Sequence, residues 1–162
     1  MARAYIAIGS NDRPYEHIRA GLAALRQHVT LVAQSPLYRT APQNTSTDDD
    51  YINGAISIET DHPAPDVKAL LKRIEREIGR EDTSDGRVAL DLDLLLLDDH
   101  IMQYDYQGKT YHLPDADIRK RDYVAVPLAD IAPDFIHPET GETLRAIADQ
   151  FDTLTRADDS AG

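Results

Sequence analysis

The stretch Ala89-Leu90-Asp91-Leu92-Asp93-Leu94-Leu95-Leu96-Leu97 decides the fold of this chain. Such a leucine-rich run indicates a β-strand that is buried on both faces, in the interior of a layered domain. Successive side chains of a strand point to opposite faces, so Asp91 and Asp93 share one face, followed there by Leu95 and Leu97. The opposite face is then formed by Leu90, Leu92, Leu94 and Leu96.

Two neighbouring carboxylates on a buried strand require an explanation. Burial of Asp91 and Asp93 without a partner is costly, and their mutual repulsion adds to that cost. A divalent cation removes both costs, and Mg²⁺ usually takes one or two carboxylates and completes its shell with water and phosphates. The alternative is a strand that enters the sheet with its polar end in solvent. The Asp-x-Asp spacing alone leaves both interpretations open.

The segments on either side of this strand predict the remaining elements. Before it come a strand at 4–8, a turn at 9–11, a helix at 14–27, β-like sequence at 29–40, a polar loop at 41–50, a strand at 51–60, a helix that ends at Gly79 and a polar loop at 80–87. After it come a hairpin at 100–113, a helical turn near 115–121, a segment around 124–132 and a helix at 141–151.

The order β-α-β-β-α-β predicts an α+β fold of the ferredoxin-like type, which is an antiparallel sheet with helices on one face. The hairpin and the C-terminal helices are added to that unit. A length of 162 residues suits one domain. We therefore expect a single domain over residues 1–153 and a flexible tail over residues 154–162.

Composition excludes several classes of function. The chain has 17 Lys+Arg against 29 Asp+Glu, a formal net charge of −12, so neither nucleic acid nor a membrane is an expected partner. It has no cysteine, which excludes a disulfide scaffold and a cysteine nucleophile. We find no leader or membrane span and expect a cytoplasmic protein. A polyphosphate substrate requires so acidic a chain to gather its few cations in one place.

Two further groups of residues are candidates for binding. Tyr51 and Asn53 share a strand face and suit a flat heterocycle, by stacking and by paired hydrogen bonds. The alternative is a surface tyrosine with a strand-end asparagine. The cations at 119–121 can take a phosphate tail. The alternative there is a solvated helical turn with local Asp–Arg pairs.

Taken in order, these segments resemble the 6-hydroxymethyl-7,8-dihydropterin pyrophosphokinase family of folate biosynthesis. The resemblance runs nearly end to end, and its order and spacing identify it better than any single motif. It is carried by Tyr5-Ile6-Ala7-Ile8-Gly9-Ser10-Asn11, Tyr38-Arg39-Thr40 with Pro42, Tyr51-Ile52-Asn53, Arg73-Ile74-Glu75 with Gly79-Arg80, Leu90-Asp91-Leu92-Asp93, Leu113-Pro114, Arg121 with Tyr123, and Pro127-Leu128 with Ile131-Ala132-Pro133.

The resemblance implies a ferredoxin-like fold and an enzyme that transfers pyrophosphate from ATP to a pterin hydroxymethyl group and releases AMP. It implies two Mg²⁺ ions held by Asp91 and Asp93, with ATP as co-substrate. The expected partners are these two small molecules, and we expect a monomer. The alternative is a non-catalytic or re-specialised paralogue that binds pterin or nucleotide.

The resemblance also implies a role for individual residues. The metal ligands Asp91 and Asp93 count as catalytic, together with the cations Arg80 and Arg87. Pterin binding falls to Thr40, Ala41, Pro42, Gln43, Tyr51, Asn53 and Tyr123. ATP binding falls to Glu75, Arg80, Asp115 and Arg121.

This chain departs from the family pattern where the family places its phosphate-binding cations. Asp115 stands where the family carries a histidine. The loop after Arg80 lacks a second arginine and a tryptophan, and Asp82 and Asp85 occupy the nearest positions. Arg87 lies one place away from the family's last loop arginine. Each lost charge-assisted phosphate contact costs about 1.5–3 kcal/mol, so the departures predict a slower or re-specialised enzyme.

Overall fold

A computed structural model describes residues 1–40, 50–79, 87–152 and 154–157. The predicted loops at 41–50 and 80–87 therefore lie mostly outside the described residues. The strands are β1 (Ala2–Ser10), β2 (Thr30–Gln34), β3 (Tyr38–Thr40), β4 (Tyr51–Thr60), β5 (Asp91–Leu97), β6 (Met102–Tyr106), β7 (Lys109–Leu113) and β8 (Thr155–Arg156). The helices are α1 (Pro14–Arg26), α2 (Ala64–Ile78), α3 (Asp117–Lys120), α4 (Asp122–Ile131) and α5 (Leu144–Ala148).

The main sheet is antiparallel, in the order β5-β1-β4-β3-β8, and β2 also pairs with β4. The segment at 29–40, predicted as β-like, forms two short strands because it breaks at Ser35-Pro36. Ser35 bridges the break: its N–H donates to the Ala55 carbonyl and its hydroxyl accepts from the Ala55 N–H, each at 2.9 Å. The hairpin of β6 and β7 turns at Gln107-Gly108, as predicted.

Helices cover both faces of the sheet. On one face α1 and α2 pack against the sheet through a buried cluster that includes Leu25, Leu71, Ile6, Ile56 and Leu92. On the other face α4 and α5 form a second cluster, which includes Val124, Leu128, Leu144, Tyr5 and Ala55. The ferredoxin-like prediction is confirmed for α1 and α2, and the C-terminal helices add a third layer to it.

Strict alternation along β5 fails at Leu95. Ile6 pairs with Leu94 and Tyr5 pairs with Leu96, so Leu95 is an extra residue that forms a β-bulge. As a result Leu96 joins the cluster of Tyr5, and Leu97 returns to the cluster of α1 and α2. The predicted faces of Leu96 and Leu97 were wrong because period-two alternation cannot reveal an inserted residue. Asp91 and Asp93 precede the bulge and keep their predicted common face.

The C-terminal part of the chain also differs from the expectation. Within the predicted tail, Thr155 and Arg156 form β8, which pairs with Arg39 and Tyr38. So short and polar a strand leaves no periodic signal. The last helix is shorter than predicted because the chain before it pairs Ile136 with Thr143 in a bridge. Among the described residues, no helix combines the length and apolar character needed to cross a bilayer.

A buried carboxylate joins α2 to the free edge of β5. Glu75 is 2% exposed, and its Oε2 accepts a hydrogen bond of 2.7 Å from the Leu92 N–H. Its Oε1 lies 3.1 Å from Nζ of Lys72, which precedes it by three residues, about one helical turn. An edge N–H group would otherwise need water, so Glu75 both satisfies this donor and sets α2 against the strand.

We expect Glu75→Gln to lower the free energy of unfolding by about 1–2 kcal/mol, because it removes the charge that strengthens both hydrogen bonds. Urea unfolding followed by circular dichroism measures the change. Glu77→Gln is the matched control: Glu77 lies on the same helix, pairs with Arg73 in solvent, and should shift stability by no more than about 0.5 kcal/mol. Equal effects of the two substitutions would contradict a special role for Glu75.

Candidate active site

The candidate site is built on one row of residues across three strands. Gly9 in β1 pairs with Asp91 of β5 on one side and with Asn53 of β4 on the other. Directly paired residues of an antiparallel sheet point to the same face, so Asp91 and Asn53 lie on one face about 10 Å apart, two strand spacings. Asp93 follows on the next row of that face, where it pairs with Ala7.

The lack of a side chain at Gly9 makes room for the site. A Cβ atom at this position would lie 2.5 Å from Cε1 of Tyr51 and 3.1 Å from Oδ1 of Asn53. Only glycine lets the Tyr51 ring and the Asn53 amide extend over β1 toward the aspartates. The sequence placed Gly9 in a turn after the first strand, and that assignment was wrong, because β1 continues to Ser10.

The Asn53 side chain is held in one orientation. It is 6% exposed, and its Nδ2 donates a hydrogen bond of 3.0 Å to Thr40 Oγ1. The Thr40 hydroxyl in turn donates to the Tyr51 carbonyl at 3.3 Å. These bonds join three of the predicted pterin-binding residues. The other predicted residues on this side, Ala41, Pro42 and Gln43, lie outside the described residues.

Asp91 and Asp93 form an electrostatically strained pair. Both are partly buried. The pKa of Asp93 is raised to about 7, first by burial and then by the nearby Asp91 carboxylate, although Lys68 and Lys72 of α2 offset part of the rise. The pair therefore carries an unfavourable concentration of negative charge, which a bound cation would relieve.

Tyr123 approaches Asp93, and Asp115 is held against β5. Tyr123 stands in the first turn of α4; burial raises its pKa, Arg121 lowers it, and Asp93 is among the acids that raise it. Asp115 is tied to β5 by a hydrogen bond of 2.9 Å from its N–H to the Leu95 carbonyl. Burial also raises the pKa of Asp115, whose Oδ1 accepts from the Asp117 N–H at 2.8 Å.

The predicted phosphate-binding cations are less well placed. Arg87 Nη1 lies 3.7 Å from Asp12 Oδ1, and Arg121 Nε lies 3.9 Å from Asp117 Oδ1. Both arginines are about half exposed, and both face neighbouring carboxylates. Arg80 lies outside the described residues, as do Asp82 and Asp85. The carboxylate of Glu75, for which the resemblance implies ATP binding, contacts the Leu92 N–H of β5 and the ammonium group of Lys72.

Two sets of residues beside the site escaped the sequence analysis. Ser10 and Asn11 are buried and hold Val88: the Asn11 N–H donates to the Val88 carbonyl at 3.0 Å, and Asn11 Oδ1 accepts from the Val88 N–H. They thereby position the start of β5. The second set is Lys68 and Lys72, which lie one helical turn apart on α2. The sequence feature that could have revealed it is a lysine that directly follows Val67 in the apolar stripe of the helix.

Comparisons with known proteins identify the family of this chain. The profile of the 7,8-dihydro-6-hydroxymethylpterin-pyrophosphokinase family matches residues 5–133. A 2-amino-4-hydroxy-6-hydroxymethyldihydropteridine pyrophosphokinase of Haemophilus influenzae is 35% identical over 155 residues, which cover 93% of this chain and 94% of the relative. One from Pseudomonas aeruginosa is 35% identical over 143 residues, 86% of each chain.

Longer proteins contain a similar unit. The folic acid synthesis protein fol1 of Schizosaccharomyces pombe is 30% identical over 152 residues, and the match spans only 20% of that protein. The crystal structure of Plasmodium falciparum HPPK-DHPS with SDX-DHP superposes with a TM-score of 0.75 at 11% identity, over 93% of this chain and 43% of that chain. That similarity supports the fold alone. By its match to the family profile and to relatives of nearly equal length, this chain belongs to the 7,8-dihydro-6-hydroxymethylpterin-pyrophosphokinase family.

Proposed function

We propose that this protein transfers the pyrophosphate group of ATP to the hydroxymethyl group of 6-hydroxymethyl-7,8-dihydropterin, a reaction of folate biosynthesis. The hydroxyl oxygen attacks the β-phosphorus, the bond between that phosphorus and its bridging oxygen to the α-phosphorus breaks, and AMP leaves. The observation that carries the proposal is the row Asp91–Gly9–Asn53, which sets the backbone of Asp91 two strand spacings, about 10 Å, from that of Asn53 on the same face of the sheet.

The Asn53 end of the row suits the pterin. A pterin ring is flat and carries hydrogen-bond donors and acceptors along one edge, which an amide side chain can match. Asn53 is held by Thr40, and the Tyr51 ring extends over Gly9 beside it. Tyr123 approaches from the start of α4, so we propose that the two tyrosines stack on the ring while Asn53 reads its edge.

The Asp91 end suits metal-bound phosphate. We propose that Asp91 and Asp93 hold two Mg²⁺ ions, since hard oxygen ligands and a strained carboxylate pair are the donor set this ion prefers. Mg²⁺ bound there would neutralise phosphate charge and lower the pKa of the attacking hydroxyl. Asp91 and Asp93 themselves orient the phosphates relative to the pterin, because β1 links them rigidly to Asn53.

The surrounding charges favour reduced activity. Asp115 adds negative charge near the phosphate site, and Arg87 and Arg121 face Asp12 and Asp117. The same contacts support a second candidate, a paralogue that binds pterin and nucleotide without turnover. An assay of AMP release with ATP, Mg²⁺ and the pterin separates the two candidates. A monomeric state and a cytoplasmic location remain predictions.

We expect Asp93→Asn to abolish AMP release while the variant still binds the pterin, because the amide cannot replace a carboxylate ligand. A coupled AMP assay and pterin titration by fluorescence measure the two quantities. Asp99→Asn, an exposed position just beyond β5, is the control and should keep full activity. Substantial turnover by Asp93→Asn would remove the carboxylate pair from the mechanism.

The same variant should be more stable than the wild type without metal. The folded protein keeps the Asp93 proton up to about pH 7 while the unfolded chain releases it near pH 3.8, so wild-type stability falls as the pH rises between these values. Asp93→Asn has no such proton to release, so its free energy of unfolding should exceed that of the wild type by roughly 4 kcal/mol at most at pH 8. The difference should vanish toward pH 4. Urea unfolding in EDTA measures it; a difference between the proteins that does not grow with pH would contradict this cause.

We expect Gly9→Ala to weaken pterin binding about tenfold, because the added methyl group displaces the Tyr51 ring. Calorimetry with the pterin measures the change, and affinity for a nucleotide analogue should stay within about twofold. Gly21→Ala is the control: its Cβ would lie 2.5 Å from Leu90 Cδ2, so it is equally crowded, but it lies on the buried face of α1. If both substitutions weaken the pterin equally, general destabilisation rather than Tyr51 is responsible.

A further inference from the structure

A hydrogen bond between two side chains joins the main sheet to the helix that carries Tyr123. Tyr38 of β3 is 4% exposed, and its hydroxyl donates to Oδ2 of Asp130 in the last turn of α4. Burial raises the pKa of Tyr38, and the hydrogen bond to Asp130 raises it too, so the hydroxyl keeps its proton and acts as the donor. The two residues are 92 positions apart in the chain, so this contact depends on the tertiary structure.

On the strand side, the bond acts next to the Asn53 end of the site. Tyr38 pairs directly with Asn53 in the ladder between β3 and β4, and the two side chains share a face of the sheet. Thr40 lies two residues beyond Tyr38 on that face, and its Oγ1 accepts from Asn53 Nδ2 at 3.0 Å. Because β3 has only three residues, a shift of Tyr38 would also move the hydroxyl that orients the Asn53 amide.

On the helix side, the bond holds the end of α4 that is opposite to Tyr123. Tyr123 and Asp130 are separated by about two helical turns, so they lie on the same side of the helix. The segment before α4 is tied to β5, because the Asp115 N–H donates to the Leu95 carbonyl at 2.9 Å. The helix therefore crosses the sheet from β5 at its start to β3 at its end.

Between these two ends, α4 rests on the sheet through apolar contacts. Val124 and Leu128 belong to the same buried cluster as Ala55, and Ala7 packs against that cluster. Apolar contacts are not directional, and small side chains such as alanine offer little to stop a helix from rolling or sliding. A hydrogen bond has a preferred distance and angle. The bond between Tyr38 and Asp130 thus supplies a directional contact that sets the end of α4 against β3.

We propose that Tyr38 and Asp130 are positioning residues for the pterin. Their hydrogen bond fixes the gap between the Tyr123 ring on α4 and the Asn53 amide on the sheet, in which the pterin stacks. Neither residue contacts a substrate: Tyr38 acts through Thr40 and Asn53, and Asp130 acts through the placement of the helix. This inference rests on the proposed pterin site and deepens it, because it names the contact that sets the width of that site.

The test separates affinity for the pterin from affinity for the nucleotide. Calorimetry with 6-hydroxymethyl-7,8-dihydropterin, in the presence of Mg²⁺ and the ATP analogue α,β-methylene-ATP, should show binding weakened about fivefold in Tyr38→Phe and in Asp130→Ala. Binding of the analogue itself should change less than about twofold. Asp130→Asn keeps an acceptor oxygen and should retain most of the affinity for the pterin. The double variant should lose no more than either single variant, because both remove the same bond.

Two matched controls remove the same groups elsewhere. Tyr15→Phe deletes a buried hydroxyl of α1 that has no hydrogen-bond partner among the described residues. Asp149→Ala deletes an aspartate from a cavity of about 880 Å³ that is also lined by Tyr38 and Asp130. Both controls should bind the pterin as the wild type does.

The outcomes separate this inference from the proposed function. If the wild type binds the pterin and releases AMP while both single variants bind the pterin normally, the inference fails and the proposed function stands. Equal weakening of the pterin and the analogue, additive losses in the double variant, or the same loss in the controls would each overturn the inference. If the wild type binds the pterin but releases no AMP, the proposed function fails, and the pterin affinities of the variants still decide the inference. If the wild type binds no pterin, both fail.

Discussion

The double pairing of β1 is the constraint on which the site depends. This strand forms backbone ladders with β5 and with β4, so Asp91 and Asn53 both pair with the same residue, Gly9. Neither end of the site can move along its strand without breaking a ladder, and a slip by one residue would turn its side chains to the other face. Ser10 and Asn11 hold the start of β5, and Glu75 satisfies its free edge at Leu92.

The charges of the site work against the stability of the fold that positions them. Asp91 and Asp93 repel each other on a partly buried face, and Lys68 is buried in an apolar stripe. Such departures from good packing chemistry are common where a protein binds a charged ligand. The overall charge of −12 is an average over the chain, and Lys72, Arg76 and Lys109 lie together in the cleft between α2 and the hairpin.

Much of the fold follows from local patterns. The helical stripes of α1 and α2, the strand of residues 51–60 and the turn at Gln107-Gly108 all came from spacing and turn residues. The bulge at Leu95 did not, since one extra residue in a run of leucines leaves the composition unchanged. The third layer of α4 and α5 and the pairing of Thr155 with Arg39 escaped for another reason. Both are set by contacts between segments far apart in the chain, which periodicity does not report.

The sequence by itself determined that Asp91 and Asp93 share a face and that Tyr51 and Asn53 share another, because side chains alternate along a strand. It also placed the chain in a family through the order of its motifs. Only the tertiary structure decided that the two pairs lie on the same face of the sheet, because Gly9 pairs with both Asp91 and Asn53. Arg87 lies beside Asp12, which only the packing of segments far apart in the chain brings to it, whereas Arg121 lies beside Asp117 within one helical turn.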